Sequence, residues 1–222
     1  MIRIENLTKQ FHGEGETVTV LSGLAMHVQE KTIVSVEGAS GEGKSTLLNI
    51  IGTVDQATTG SVMVSNREVT SMSEREKEQF RAHELGFIFQ HHYLLPDFTI
   101  LENAMMPLLI QRNSIANAAL EAERVLAMVG LAHRLQHFPS QVSGGEMARA
   151  GVARALVGGK KLILADEPTG NLDKANSDRL ADLLWQLQGD LGFTLVIVTH
   201  DPELAARVPI RHKIASGRLT RL

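Results

Sequence analysis

The chain of 222 residues has no cysteine, one tryptophan and one tyrosine. Without cysteine there can be no disulfide and no thiolate metal site, which agrees with a reducing compartment. No apolar run approaches the roughly 18 residues that cross a bilayer. The start Met1-Ile2-Arg3-Ile4-Glu5 lacks the apolar core of a signal peptide, so the expected location is the cytosol. Lys and Arg number 22 against 25 Asp and Glu, a net charge of −3 with no basic stripe, so nucleic acid is not an expected partner. Internal repeats, low-complexity segments and disordered linkers are also missing. The 43% hydrophobic content suffices for one large domain, or for a core with a sizeable insertion.

Against these absences stands one dense motif, Gly38-Ala39-Ser40-Gly41-Glu42-Gly43-Lys44-Ser45, between the apolar run Thr32–Val36 and a helical start at Thr46. Strand, glycine turn and helix in that order form a phosphate cradle. Glycines let bare backbone N–H groups close on phosphate oxygens, and the helix N-terminus adds partial positive charge. Lys44 is placed to reach the β- and γ-phosphates of a nucleoside triphosphate, and the Ser45 hydroxyl to coordinate Mg²⁺. Glu42 puts a carboxylate inside an anion-binding loop, so its side chain should face solvent or pair with a cation.

Short apolar runs alternate with longer helical patterns, as in Lys161–Ala165, Lys174–Gln188 and Thr194–Thr199, which predicts an α/β fold with a parallel sheet flanked by helices. The first thirty residues instead read as β-rich pieces, Ile2–Leu7, Thr17–Leu21 and Ala25–Val28, with a turn at Gly13-Glu14-Gly15, predicting an antiparallel sheet at one edge. Ser73-Glu74-Arg75-Glu76 is a capping box for a polar helix that ends before Gly86. From about 91 to 156 helical spacing dominates, as at Ala119, Ala122, Leu126 and Val129 before the stop Gly130, and is read as an inserted helical subdomain.

The apolar run 161–165 ends in Asp166-Glu167, two carboxylates at the edge of the sheet where α/β proteins bind ligands. Asp166 suits the Mg²⁺ shell. Glu167 suits a general base for an attacking water. His200 follows the run 194–199 at the same edge and is a candidate for contact with the γ-phosphate and the water. Val142-Ser143-Gly144-Gly145-Glu146 is a second glycine-opened helix start. Either the chain binds two nucleotides, or this element serves a nucleotide held by another copy.

Together these motifs resemble the ATP-binding cassette (ABC) ATPase family over nearly the whole chain and in the family's order. The resemblance implies a P-loop NTPase core of RecA-like type with an N-terminal antiparallel β-subdomain and an inserted helical subdomain. It makes Gly38–Ser45 the Walker A loop, with Thr46 also on the nucleotide, Gln90 the Q-loop glutamine and an Mg²⁺ ligand, and Ser143-Gly144-Gly145-Glu146 the signature. Leu162–Asp166 becomes Walker B with Glu167 as base, Asn171-Leu172-Asp173 the D-loop, and His200 the switch histidine. Phe11 falls where the family stacks an aromatic ring on adenine, the other reading being a core phenylalanine. ATP and Mg²⁺ are the implied ligands. The implied assembly is a head-to-tail homodimer in which the signature of one copy covers the ATP of the other. Membrane subunits complete the transporter, which places the chain at the cytoplasmic face of the inner membrane.

Three departures from the family pattern, Glu42, Met147-Ala148 and Ala150-Gly151, are expected on helix surfaces or loop edges. The wording of 94–109 and 165–173 is most like lipoprotein-releasing cassettes, while macrolide-export and division-associated types share the second stretch. The apolar residues of 91–108 read either as a groove for a membrane partner or as subdomain core. A small kinase would lack Ser143-Gly144-Gly145, a GTPase would need an Asn-Lys-x-Asp segment that is missing, and a non-transport ABC protein would carry a second cassette, a coiled-coil insertion or basic surfaces.

Overall fold

In the computed structural model, which describes residues 1–13 and 15–222, the chain divides into two compact units. One comprises Met1–Arg81, Leu164–Asp166 and Thr194–Leu222; the other comprises Ala82–Ile163 and Glu167–Phe193.

In the first unit, β1 (Ile2–His12) and β2 (Thr17–Val28) pair antiparallel, so the two β pieces expected at 17–21 and 25–28 are one strand. Ile2, Ile4 and Leu7 of β1 and Leu24, Met26 and Val28 of β2 are buried while residues between them are exposed, the alternation of a sheet with one wet face. The turn expected at Gly13-Glu14-Gly15 is centred on Glu14, which lies outside the described residues. β4 (Thr59–Val64) and β5 (Arg67–Glu68) complete the order β2-β1-β4-β5. The antiparallel strands are therefore a sheet of their own, not the edge of the parallel one, because β1 has its two hydrogen-bonding sides filled by β2 and β4.

The other sheet of this unit runs β10-β9-β3-β8-β7, from β3 (Ile33–Glu37), β7 (Leu162–Asp166), β8 (Thr194–Thr199), β9 (Ile210–Ala215) and β10 (Arg218–Arg221). β3 lies parallel between β8 and β9. Every residue of β8 is buried, as are Val34 and Val36, which is why these strands read as unbroken apolar runs. α1 (Lys44–Ile51) buries Leu47, Leu48, Ile50 and Ile51 and packs on β8. β9 and β10 are joined by Ser216 and Gly217, both with positive φ, a two-residue hairpin turn. α2 (Glu74–Glu84) opens with the box read from the sequence: the Ser73 N–H and hydroxyl donate to Glu76 at 2.8 and 2.6 Å.

The second unit holds β6 (Leu85–Phe89), with α3 (Ile100–Ile110), α4 (Ile115–Met128), α5 (Gly144–Leu156) and α6 (Lys174–Leu191). α4 buries Ala118, Ala122, Val125 and Leu126, and the chain turns at Gly130 with φ 73°. α5 meets α3, α4, α6 and β6. This overturns the expectation that the departures on α5 lie at its surface. Ala148, Ala150 and Gly151 are buried, small residues on a helix packed on several sides.

Candidate functional site

In the first unit, β3 ends at Glu37 and the phosphate loop leads into α1, whose N-cap, Gly43, offers no side chain. α3, α4, α5 and α6 each have a side-chain oxygen accepting a first-turn N–H; α1 has none, and no acid stands in its first turn. Its N–H groups are left for an anion. Gly43 has φ 95°, and a Cβ there would come within 2.7 Å of Leu21, so any side chain would be strained. The Lys44 ammonium donates to the carbonyls of Gly38 and Ala39, each at 2.9 Å, which holds it over the loop. Glu42, expected to face solvent or pair with a cation, is half-buried. Its carboxylate accepts the Ser216 N–H at 2.5 Å, fastening the loop to the β9–β10 turn.

The parallel strands bring more of the named residues to the same edge. Asp166 ends β7, and its Oδ1 accepts the Ser45 hydroxyl at 3.1 Å. His200 follows β8 and is exposed, while Ser40, Gly41 and Thr46 occupy the loop and the start of α1. Phe11 is 46% exposed, which removes the core alternative, and the Lys9 ammonium sits 4.6 Å from its ring centroid. Lys9 is itself held by Asp55 at 2.6 Å.

In the second unit, Gln90 follows β6. Its amide donates to Asn171 Oδ1 at 3.3 Å, and Asn171 Nδ2 donates to the Gln90 carbonyl at 3.0 Å. Glu167 is buried and has φ 46°, a left-handed conformation that costs a non-glycine residue energy and marks sites where geometry is imposed. Asp173 caps α6 by accepting the Asn176 N–H at 2.9 Å, and that bond lowers its pKa. Two residues here escaped the sequence reading as site residues. Asn171 was legible only as part of a motif. Arg154, near the end of α5, donates to the carbonyls of His92 and Tyr93, both in left-handed conformation just after Gln90.

At the start of α5, Ser143 accepts the Glu146 N–H at 3.3 Å while Glu146 accepts the Ser143 N–H and hydroxyl at 2.8 and 2.9 Å. The Ser143 N–H and the Arg134 guanidinium, 2.8 Å away, lower the Glu146 pKa to about 2. Glu146 therefore serves this helix end as a fixed anion. Ser143 and Gly144 are exposed, and Gly145 is half-buried.

Residues 21–170 match the ABC transporter family. The chain belongs to that family. The cassette binds and hydrolyses ATP. It is 47% identical over 220 residues to the lipoprotein-releasing system ATP-binding protein LolD of Geobacter metallireducens, covering 99% of this chain and 97% of that one. It is 43% identical to the LolD protein of Myxococcus xanthus, covering 99% and 98%. A solved structure described as a dimeric bacterial ABC transporter cassette, MJ0796, superposes with a TM-score of 0.91 at 35% identity over 100% of this chain and 97% of that one. A second, in a post-hydrolysis state bound to ADP and Pi, gives 0.91 at 34%.

Among the described residues of the cassette, no helix is long and apolar enough to cross a membrane. The stretch 91–108 divides between the two readings offered for it. Ile100, Ala104, Met105 and Leu108 are core, whereas Tyr93, Leu95 and Phe98 are exposed at 63%, 40% and 38%. Buried Asn103 fixes the loop beneath them, donating to the carbonyls of Leu95, Phe98 and Thr99 at 3.0 Å and accepting the Leu95 N–H at 2.7 Å. The apolar groups thus stand on a held loop.

Proposed function

We propose that this cassette powers the release of lipoproteins from the inner membrane, working as a homodimer on the cytoplasmic face with integral membrane subunits. The 47% identity over 99% of the chain to a lipoprotein-releasing protein carries this reading. Tyr93, Leu95 and Phe98, exposed on a braced loop, supply the apolar contact a membrane subunit would cover. ATP-dependent release of a lipoprotein from proteoliposomes holding the membrane subunits tests it. Leu95→Ser with Phe98→Ser should abolish release while leaving ATP binding and the melting temperature near those of the parent. A folded double variant that still drives release would remove the coupling role, and a parent chain that binds other membrane subunits and releases no lipoprotein would overturn the reading itself.

In this reading the N–H groups of 38–46 and Lys44 bind the phosphates, and Phe11 stacks on adenine. Ser45, Asp166 and Gln90 would hold Mg²⁺. A hydroxyl and a carboxylate 3.1 Å apart are hard oxygen donors that suit a small cation keeping its other positions for water and phosphate. The ion, when bound, neutralises charge on the β- and γ-phosphate oxygens. Glu167 accepts the proton of the attacking water, and His200 and Gln90 orient it.

Ser143, Gly144 and Gly145 reach the nucleotide of the second copy, Glu146 holds their helix end, and Asp173 lies on the facing loop. Mixing Ser143→Arg chains with Lys44→Ala chains should therefore restore part of the ATPase activity that each variant lacks alone, since mixed dimers keep one intact composite site. Formation of mixed dimers without any return of activity would exclude one intact site being enough in this trans arrangement.

A further inference from the structure

Away from the nucleotide loop, the first unit has a cavity of about 600 Å³ lined by Arg3, Glu5, His27, His212, Arg221 and apolar neighbours that include Met26 and Leu219. The strand registers build it. Arg3 of β1 stands opposite His27 of β2, and Arg221 of β10 stands opposite His212 of β9, so two arginine–imidazole pairs from different sheets line one space. The lining holds one carboxylate, Glu5, already 2.5 Å from Arg3. Among the described residues Arg221 has no carboxylate partner.

His212 is the buried member of this lining. It is 6% exposed, and its Nδ1 is buried without a hydrogen-bond partner. An orphaned buried N–H costs more than an unused lone pair, so the proton of the neutral ring belongs on Nε2, as a donor. Burial and the Arg221 charge both lower the pKa of this imidazole, which keeps it neutral in the empty cavity.

We infer that this cavity binds a phosphate monoester, with the Arg3 and Arg221 guanidiniums and the two imidazoles on the phosphate and the apolar side chains of Ala25 and Leu219 beside its organic part. Planar guanidinium forks match phosphate oxygens in pairs. The ester could be a free metabolite or the headgroup of an anionic lipid, and the chemistry at the cavity is the same for both.

The test uses the full chain with saturating ADP, so that the nucleotide loop is occupied. Titration with glycerol 3-phosphate should shift the imidazole resonances of His212 and His27 saturably and leave those of His83 and His133 in place. Arg221→Gln, at an exposed position that the fold tolerates, should weaken binding by at least about tenfold, the worth of a charge-assisted bond. A second arm measures sedimentation with phosphatidylcholine vesicles containing phosphatidic acid. Binding in this arm alone, reduced by Arg221→Gln, identifies the headgroup as the source. If neither probe binds at millimolar concentration, or if Arg221→Gln and Arg3→Gln bind as the parent does, the inference is wrong.

Discussion

Glu167→Gln should leave ATP affinity intact while slowing hydrolysis by about 10²–10⁴-fold, the usual contribution of a positioned general base. The carboxamide keeps the size and shape of the side chain but cannot take the water proton. Because Glu167 is buried and held at φ 46°, the substitution also avoids disturbing a backbone that a smaller residue would relax. The variant should accumulate as an ATP-bound dimer, visible as a doubled mass by size-exclusion chromatography with light scattering. Turnover within a few-fold of the parent in a single-turnover assay would remove Glu167 from this role.

Lys44→Ala should act one step earlier, on binding. The ammonium is buried and held at 2.9 Å from two loop carbonyls, so its charge is already in place when phosphate arrives. Removing one or two charge-assisted bonds of about 1.5–3 kcal/mol each should weaken ATP binding by roughly 10- to 10⁴-fold. Isothermal titration measures this directly. The loss should be much smaller for adenosine, which lacks the phosphates, and an equal loss for both would point to misfolding.

The core of the fold was legible because parallel strands covered on both faces leave unbroken apolar runs, and the runs at 32–36, 161–165 and 194–199 are strands β3, β7 and β8 within a residue or two. The N-terminal hairpin was harder to read. Gly23 at φ 61° and the bulges of β1 interrupt the alternation, which split β2 into two pieces. The glycine turn between β3 and α1 was legible because it constrains backbone as well as side chain, as Gly43 at φ 95° illustrates. Glu42 could not be understood that way, since its partner Ser216 lies 174 residues on. Arg154 was equally silent. Its bonds go to main-chain carbonyls of His92 and Tyr93, and a carbonyl leaves no mark in the sequence.

The position of β3 between β8 and β9 has a consequence for synthesis. The strand that carries the phosphate loop emerges early from the ribosome, yet both of its hydrogen-bonded neighbours come from residues 194–215. The loop is also touched by late residues, since a Cβ on Gly38 would lie 2.6 Å from the Ile214 carbonyl and Glu42 holds Ser216. Contacts so distant along the chain close last. A nascent cassette therefore exposes its glycine-rich loop on an unpaired strand for most of translation, and it becomes able to hold ATP only when its final hairpin has docked.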